Sequence, residues 1–165
     1  MFVTIETSIT INASPETVWD YASAPENWTA SNPEAHFGLQ YDTPDNLPAE
    51  GATFHQRESV AGRYADLHGR FHVMDRPHLA VWSGTALYHV LGGLIRVPIA
   101  EGGVLRTVPT DHGVRLSHDV YLDFPETFVG RWLLRNFERA NGRQAVYDHT
   151  FRELRFFKQV LESDS

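Results

Sequence analysis

From Val3 to Ile11 apolar and polar side chains alternate, with Val3, Ile5, Ile9 and Ile11 on one face and Thr4, Glu6, Ser8 and Thr10 on the other. That period of two is the pattern of a half-buried strand. Ser14-Pro15-Glu16 then supplies an N-cap, a proline at the first helical position and an early acidic residue. It predicts a short helix with Val18, Trp19 and Ala22 facing inward. Pro25 ends it and opens a second short helix, Glu26 to about Ser31, which Pro33 stops. From about Ala35 to Phe124 the pattern predicts strands over 35–41, 52–60, 63–74, 79–90, 94–108 and 113–123. Turns are expected at Pro44-Asp45-Asn46, Ala61-Gly62, Arg76-Pro77, Gly92-Gly93, Glu101-Gly102-Gly103 and Asp111-His112-Gly113. The stretch 84–103 admits two readings, one long bent hairpin or a loop inserted between two strands.

Past Pro125 the period becomes helical. Leu133, Phe137, Ala140, Tyr147, Phe151, Leu154 and Leu161 share a stripe, and Glu138, Arg139, Arg143, Arg152 and Arg155 lie mostly off it. Gly142 predicts a kink or break. A helix over 143–162 is about 30 Å long, enough to cross a sheet. Strands joined by tight turns make an antiparallel meander. The expectation is one α+β domain over residues 1–165, with a sheet of six to seven strands, two short helices after the first strand and a long C-terminal helix.

Composition narrows the function. The formal net charge is -7 and Lys158 is the only lysine; a chain without a basic stripe is a poor partner for nucleic acid or anionic membranes. The absence of cysteine removes disulfides and thiolate metal sites and fits the cytoplasm. Neither a secretion signal nor an apolar stretch of membrane-spanning length is present, so no integral membrane association is expected.

The opening Ile9-Thr10-Ile11-Asn12-Ala13-Ser14-Pro15-Glu16-Thr17-Val18-Trp19, followed by Pro25-Glu26-Asn27-Trp28, resembles the start of the START/Bet v1-like (SRPBCC) superfamily, in particular its polyketide cyclase/dehydrase branch. A tryptophan that often precedes the Asn-Pro pair in that branch is missing: Ala30 and Ser31 stand before Asn32-Pro33. The end is also similar, from Tyr121-Leu122-Asp123-Phe124-Pro125 through an Arg-rich helix to Val160-Leu161-Glu162. The resemblance implies a helix-grip fold, a curved sheet wrapped around the C-terminal helix, with a hydrophobic small molecule held between them. It does not choose among cyclases, lipid or quinone carriers, hormone receptors and chaperone co-activators.

On 114–123, His118 shares the apolar face of Leu116, Val120 and Leu122, which makes it the candidate catalytic acid or base; a packed structural histidine is the competing reading. Trp82 shares a face with Gly84 and Ala86 and suggests an aromatic wall for a flat ligand. Tyr147 and Phe151 are expected to face the sheet; Gln144, one turn earlier, is either a polar ligand contact or an exposed residue beside the Gly142 break, and the Tyr147 hydroxyl is either a donor to a ligand carbonyl or that of a core tyrosine with another partner. His68 and His72 lie opposite the apolar face of Leu67, Gly69, Phe71 and Val73, and about 13 Å apart by the strand rise. No metal is expected there or elsewhere in the chain. His55, Arg57, Glu58 and Arg96 are not oriented by the pattern. No phosphate loop or dinucleotide fingerprint is present, and no cofactor is expected. The reading is a cavity protein for a hydrophobic molecule. Three functions remain open: a cyclase- or dehydratase-like enzyme, a non-catalytic carrier, or a co-chaperone-like interaction domain.

Overall fold

The computed structural model describes residues 1–60, 62–90 and 92–163. The chain runs β1 (Phe2–Ile5), β2 (Ser8–Ile11), α1 (Pro15–Ser23), α2 (Pro25–Ser31), β3 (His36–Tyr41), β4 (Thr53–Val60), β5 (Arg63–Asp75), β6 (Leu79–Val90), β7 (Ile95–Thr110), β8 (Gly113–Asp123), α3 (Phe128–Arg139) and α4 (Gly142–Ser163). The strands form one 8-stranded sheet in the order β1-β8-β7-β6-β5-β4-β3, with β2 also paired to β8. Every pairing is antiparallel. This is the α+β helix-grip architecture the sequence predicts, with one or two strands more than expected.

The additional strand comes from the N-terminus, where one alternating segment divides at Glu6-Thr7. Thr7 turns its side chain into the core, where its hydroxyl meets that of Thr150 at 2.7 Å, and its carbonyl accepts from the His118 amide at 2.9 Å. The helix-start signal acts as read. The Ser14 hydroxyl accepts from the Thr17 amide at 3.1 Å, and Val18, Trp19 and Ala22 are buried. Of the expected Ala61-Gly62 turn, Ala61 lies outside the described residues.

The stretch 84–103 is one hairpin: β6 and β7 pair continuously from Leu79↔Arg106 to Val90↔Ile95. Glu101-Gly102-Gly103 is therefore mid-strand and not a turn. Trp82 lies directly across from Gly103, and a Cβ on Gly103 would stand 2.6–2.8 Å from the indole. Phe54 lies across from Gly69 in the same way, with its ring 2.3–3.0 Å from where a Cβ would be. At both positions the glycine serves close approach: a large ring lies flat over a bare backbone on the concave face. A bulge between Phe71 and Val73 shifts the face that follows. Val73, expected inside, is exposed, and Met74 takes the inward place.

α3 and α4 are separate helices. Asn141 adopts a positive φ of 52°, ending α3 in the left-handed turn that asparagine tolerates. A Cβ on Gly142 would lie 2.3 Å from the Phe137 ring, so glycine lets the two helices close on each other. Ala140, expected on the inner stripe, is exposed at this break. Along α4 the buried residues are Gly142, Val146, Thr150, Glu153, Leu154 and Phe157, which corrects the expected phase. Tyr147 is 37% exposed and stacks on Phe151 at 5.7 Å, on the helix flank. Gln144 is exposed and bonds Asp148. Choosing the phase by apolar count alone misplaced the stripe, because two of the residues that face the sheet, Thr150 and Glu153, are polar.

Candidate functional site

Between the concave sheet face and the helices lies a cavity of about 120 Å³. Its apolar walls include Trp19, Trp28, Phe54, Phe71 and Trp82. Of the residues expected to bind ligand, Trp82 and His118 line it; Gln144, Tyr147 and Phe151 are not among its walls. Even-numbered residues of β4 point inward, so Glu58 is buried while His55 and Arg57 are not; Arg96 is exposed. His68 and His72 face outward as read. His68 stacks on His55 at 4.3 Å, and His72 bonds the Ser83 hydroxyl.

The polar end of the cavity was not legible as a site. It is assembled from α2, β3, β4, β8 and α4. His36, Glu58 and Glu153 are buried, and the His149 side chain is 9% exposed. His36 Nε2 lies 3.0 Å from His149 Nε2 and 3.0 Å from Glu153 Oε1. His149 Nε2 lies 3.2 Å from Glu153 Oε1 and 3.3 Å from Glu58 Oε2. His149 and Glu153 are one turn apart on α4, which puts them on one face. The sequence signal for this pair is the His149-x-x-x-Glu153 spacing.

Each imidazole is aimed by its other nitrogen. His36 Nδ1 meets the Trp28 carbonyl at 2.6 Å, which makes Nδ1 the protonated nitrogen. His149 Nδ1 meets the Asn32 side-chain amide at 3.2 Å, and Arg152 donates to Asn32 Oδ1 at 3.3 Å. Gln56 donates to Glu58 Oε2 at 3.0 Å. Trp28, from the motif that carries the family resemblance, packs edge-on against His118 at 5.4 Å and against Phe157 at 4.8 Å. The motif thus builds the site's wall as well as a corner of the fold.

Burial favours neutral forms here, and the cluster opposes it. For His149, desolvation is overcome by hydrogen bonds to Glu153 and Glu58, and the pKa is pushed up to about 10. His36 is raised on the same balance. His118 Nδ1 and Glu153 Oε2 stand 3.5 Å apart, long for a hydrogen bond. Both atoms are buried with no hydrogen-bond partner among the described residues.

A second polar feature sits on neighbouring strands of the same sheet, on β6 and β7. The Tyr88 hydroxyl donates to buried Glu101, and both line the cavity. Desolvation first, and the Glu58 charge second, push Glu101 up to about 8. At neutral pH it is a carboxylic acid, able to donate a hydrogen bond.

A curved sheet closed by a long helix over an apolar pocket defines a hydrophobic-ligand-binding fold. The family model "Polyketide cyclase / dehydrase and lipid transport" matches residues 3–147, and the chain belongs to that family. Among solved structures it is similar to TTHA0849 from Thermus thermophilus, with 12% identity, TM-score 0.69 and 99% of both chains covered. It is also similar to the di-domain ARO/CYC StfQ from the steffimycin biosynthetic pathway, with 13% identity, TM-score 0.66, and coverage of 99% of this chain and 52% of that one. Ara h 8.0201 shares 11% identity at TM-score 0.56, with 99% of both chains covered. At such identities these likenesses establish the fold alone. No curated protein matches the sequence. Among the described residues no helix is long and apolar enough to cross a membrane.

Proposed function

We propose that the protein binds a compact, carbonyl-bearing hydrophobic molecule in this cavity and acts on it by acid–base chemistry of the cyclase or dehydratase kind. The observation that carries this reading is the pair of unpartnered buried atoms, His118 Nδ1 and Glu153 Oε2, at the polar end of an otherwise apolar cavity. Buried polar atoms without partners are costly and need a reason; a dyad awaiting substrate is one. Glu153 Oε2 faces His118 Nδ1 at 3.5 Å; on substrate binding the two close to a hydrogen bond, which leaves Nε2 as the basic nitrogen. On a β-hydroxy ketone His118 removes the proton next to the carbonyl. Glu101, neutral on the adjacent strand β7, protonates the leaving hydroxyl. One C–H and one C–O bond break, a C=C bond forms and water leaves.

Volume limits the substrate. A dry cavity of about 150 Å³ accepts benzene, so about 120 Å³ suits a ring-sized apolar body, with the rest of a larger molecule extending toward the opening. On β5 the outward His68, Arg70 and His72 make that part of the outer sheet face polar, which does not favour a co-chaperone's client there.

The test uses 4-hydroxy-4-phenylbutan-2-one, a single-ring β-hydroxy ketone, with enone absorbance reporting turnover and quenching of tryptophan fluorescence reporting binding. Wild-type protein should dehydrate it. His118→Ala and Glu101→Gln should each lower kcat at least tenfold, with the dissociation constant changed no more than about threefold. Binding without turnover in the wild type assigns the protein to carriage instead, and turnover untouched by His118→Ala removes the dyad's role.

A further inference from the structure

We infer that His36, Glu58 and His149 form a binding site for one divalent transition-metal ion of the zinc or ferrous class. Each residue offers one ligand atom, and the three atoms lie within 4.8 Å of one another. They come from β3, β4 and α4, elements far apart in sequence that the fold brings to one point. The two imidazole nitrogens are 3.0 Å apart, and Glu58 Oε2 lies 3.6 Å from His36 Nε2 and 3.3 Å from His149 Nε2. An ion bound at about 2.0–2.2 Å spaces its ligands about 3.0–3.6 Å apart, which is this spacing.

Charge points the same way. The Trp28 carbonyl takes the Nδ1 proton of His36, which turns Nε2 toward the centre. Two buried carboxylates, Glu58 and Glu153, stand beside the two imidazoles. A divalent ion in place of the imidazole protons balances both carboxylates with the imidazoles neutral.

The surroundings are those of a metal site. One ligating histidine donates its distal N–H to a backbone carbonyl and the ligating carboxylate accepts from Gln56; such outer contacts fix ligand orientation. For His149, metal at Nε2 puts the proton on Nδ1, so the Asn32 amide reverses to accept it and releases the Arg152 contact. Two imidazoles and a carboxylate, without thiolate, suit zinc and ferrous ions better than calcium, magnesium or cuprous copper. Glu58 and His149 also line the cavity, so the ion's remaining positions face it. This inference stands apart from the acid–base reading, and its test uses no substrate.

A second grouping, His55, Asp66 and His68, lies on the outer face with side chains 40%, 31% and 66% exposed, and serves as the control. The experiment uses chelator-treated full-length protein carrying His55→Ala and His68→Ala, titrated with cobalt(II) and zinc. The expected result is one ion per chain, a visible cobalt ligand-field spectrum, a higher melting temperature with zinc, and two imidazoles shifted in long-range nitrogen-15 spectra. His36→Ala and His149→Gln in that background should weaken zinc binding at least tenfold. Where either fails to fold, the wild-type-site spectra decide. Absence of stoichiometric binding in this background, or binding that survives both substitutions in folded protein, overturns the inference in favour of a purely ionic histidine–glutamate cluster.

Discussion

Glu101 shows how a single buried side chain gives the whole protein a pH dependence. Its carboxyl is raised from an ordinary 4.5 to about 8 by burial and by the Glu58 charge, against the opposing hydrogen bond from Tyr88. Tyr88 is itself raised, by burial, Glu101 and Glu58, with Arg63 acting the other way. A folded pKa above the unfolded one means the native state holds the proton more tightly. The stability this contributes is fully present below about pH 4.5 and is lost as pH rises through about 8. Melting temperature should therefore fall between pH 5 and 8.5, and Glu101→Gln should flatten that slope. An unchanged slope in the variant would assign the dependence to another group. At the same scale, Gly103→Ala should destabilise the protein by about 1–3 kcal/mol in urea unfolding, since the added Cβ meets the Trp82 indole at 2.6 Å. No backbone strain enters: the cost is displacement of the ring from the cavity wall, so tryptophan emission should shift as well.

α4 shows what periodicity carries and what it does not. The helix, its crossing of the sheet and its start beside Gly142 were all legible, because spacing and a breaker residue are local signals. Its phase was not. Leu154 and Phe157 are fully buried, but Thr150 and Glu153 share their face, and only the folded sheet supplies the partners that make polar residues acceptable inside. The candidate site divides on the same line. His118 and Trp82 were found because each sits in an alternating strand whose inner face is unambiguous. His36 and Glu58 lie on β3 and β4, where both faces are mixed, and their partners are more than a hundred residues away for His36. The burial of α4 gives a direct prediction. Phe157→Ala removes a fully buried ring that meets Trp28 at 4.8 Å and Tyr21 at 5.1 Å, and should cost about 3–5 kcal/mol. The residue it loosens, Trp28, also accepts from His36, so the variant's histidine spectra should change along with its stability.

At the scale of the molecule, the cavity is a packing deficit that the fold tolerates. Three apolar clusters, one around Trp19 and Phe71, one around Leu154 and Phe157, one around Phe124 and Phe137, surround the space between sheet and helices. At about 24 cal/mol per Å³, a void of about 120 Å³ costs on the order of 3 kcal/mol, which a bound apolar molecule offsets. Ala80 is 4% exposed and lines this space on β6. Replacing it by leucine puts methyl groups where the ligand would lie, so stability and binding should move in opposite directions. Ala80→Leu is expected to raise the ligand-free melting temperature by about 2–4 °C per kcal/mol gained and to weaken quenching by 4-hydroxy-4-phenylbutan-2-one at least tenfold. A variant that loses stability would show that the space is already filled by packed side chains. A variant that gains stability and still binds would move the ligand site away from the Trp82 wall.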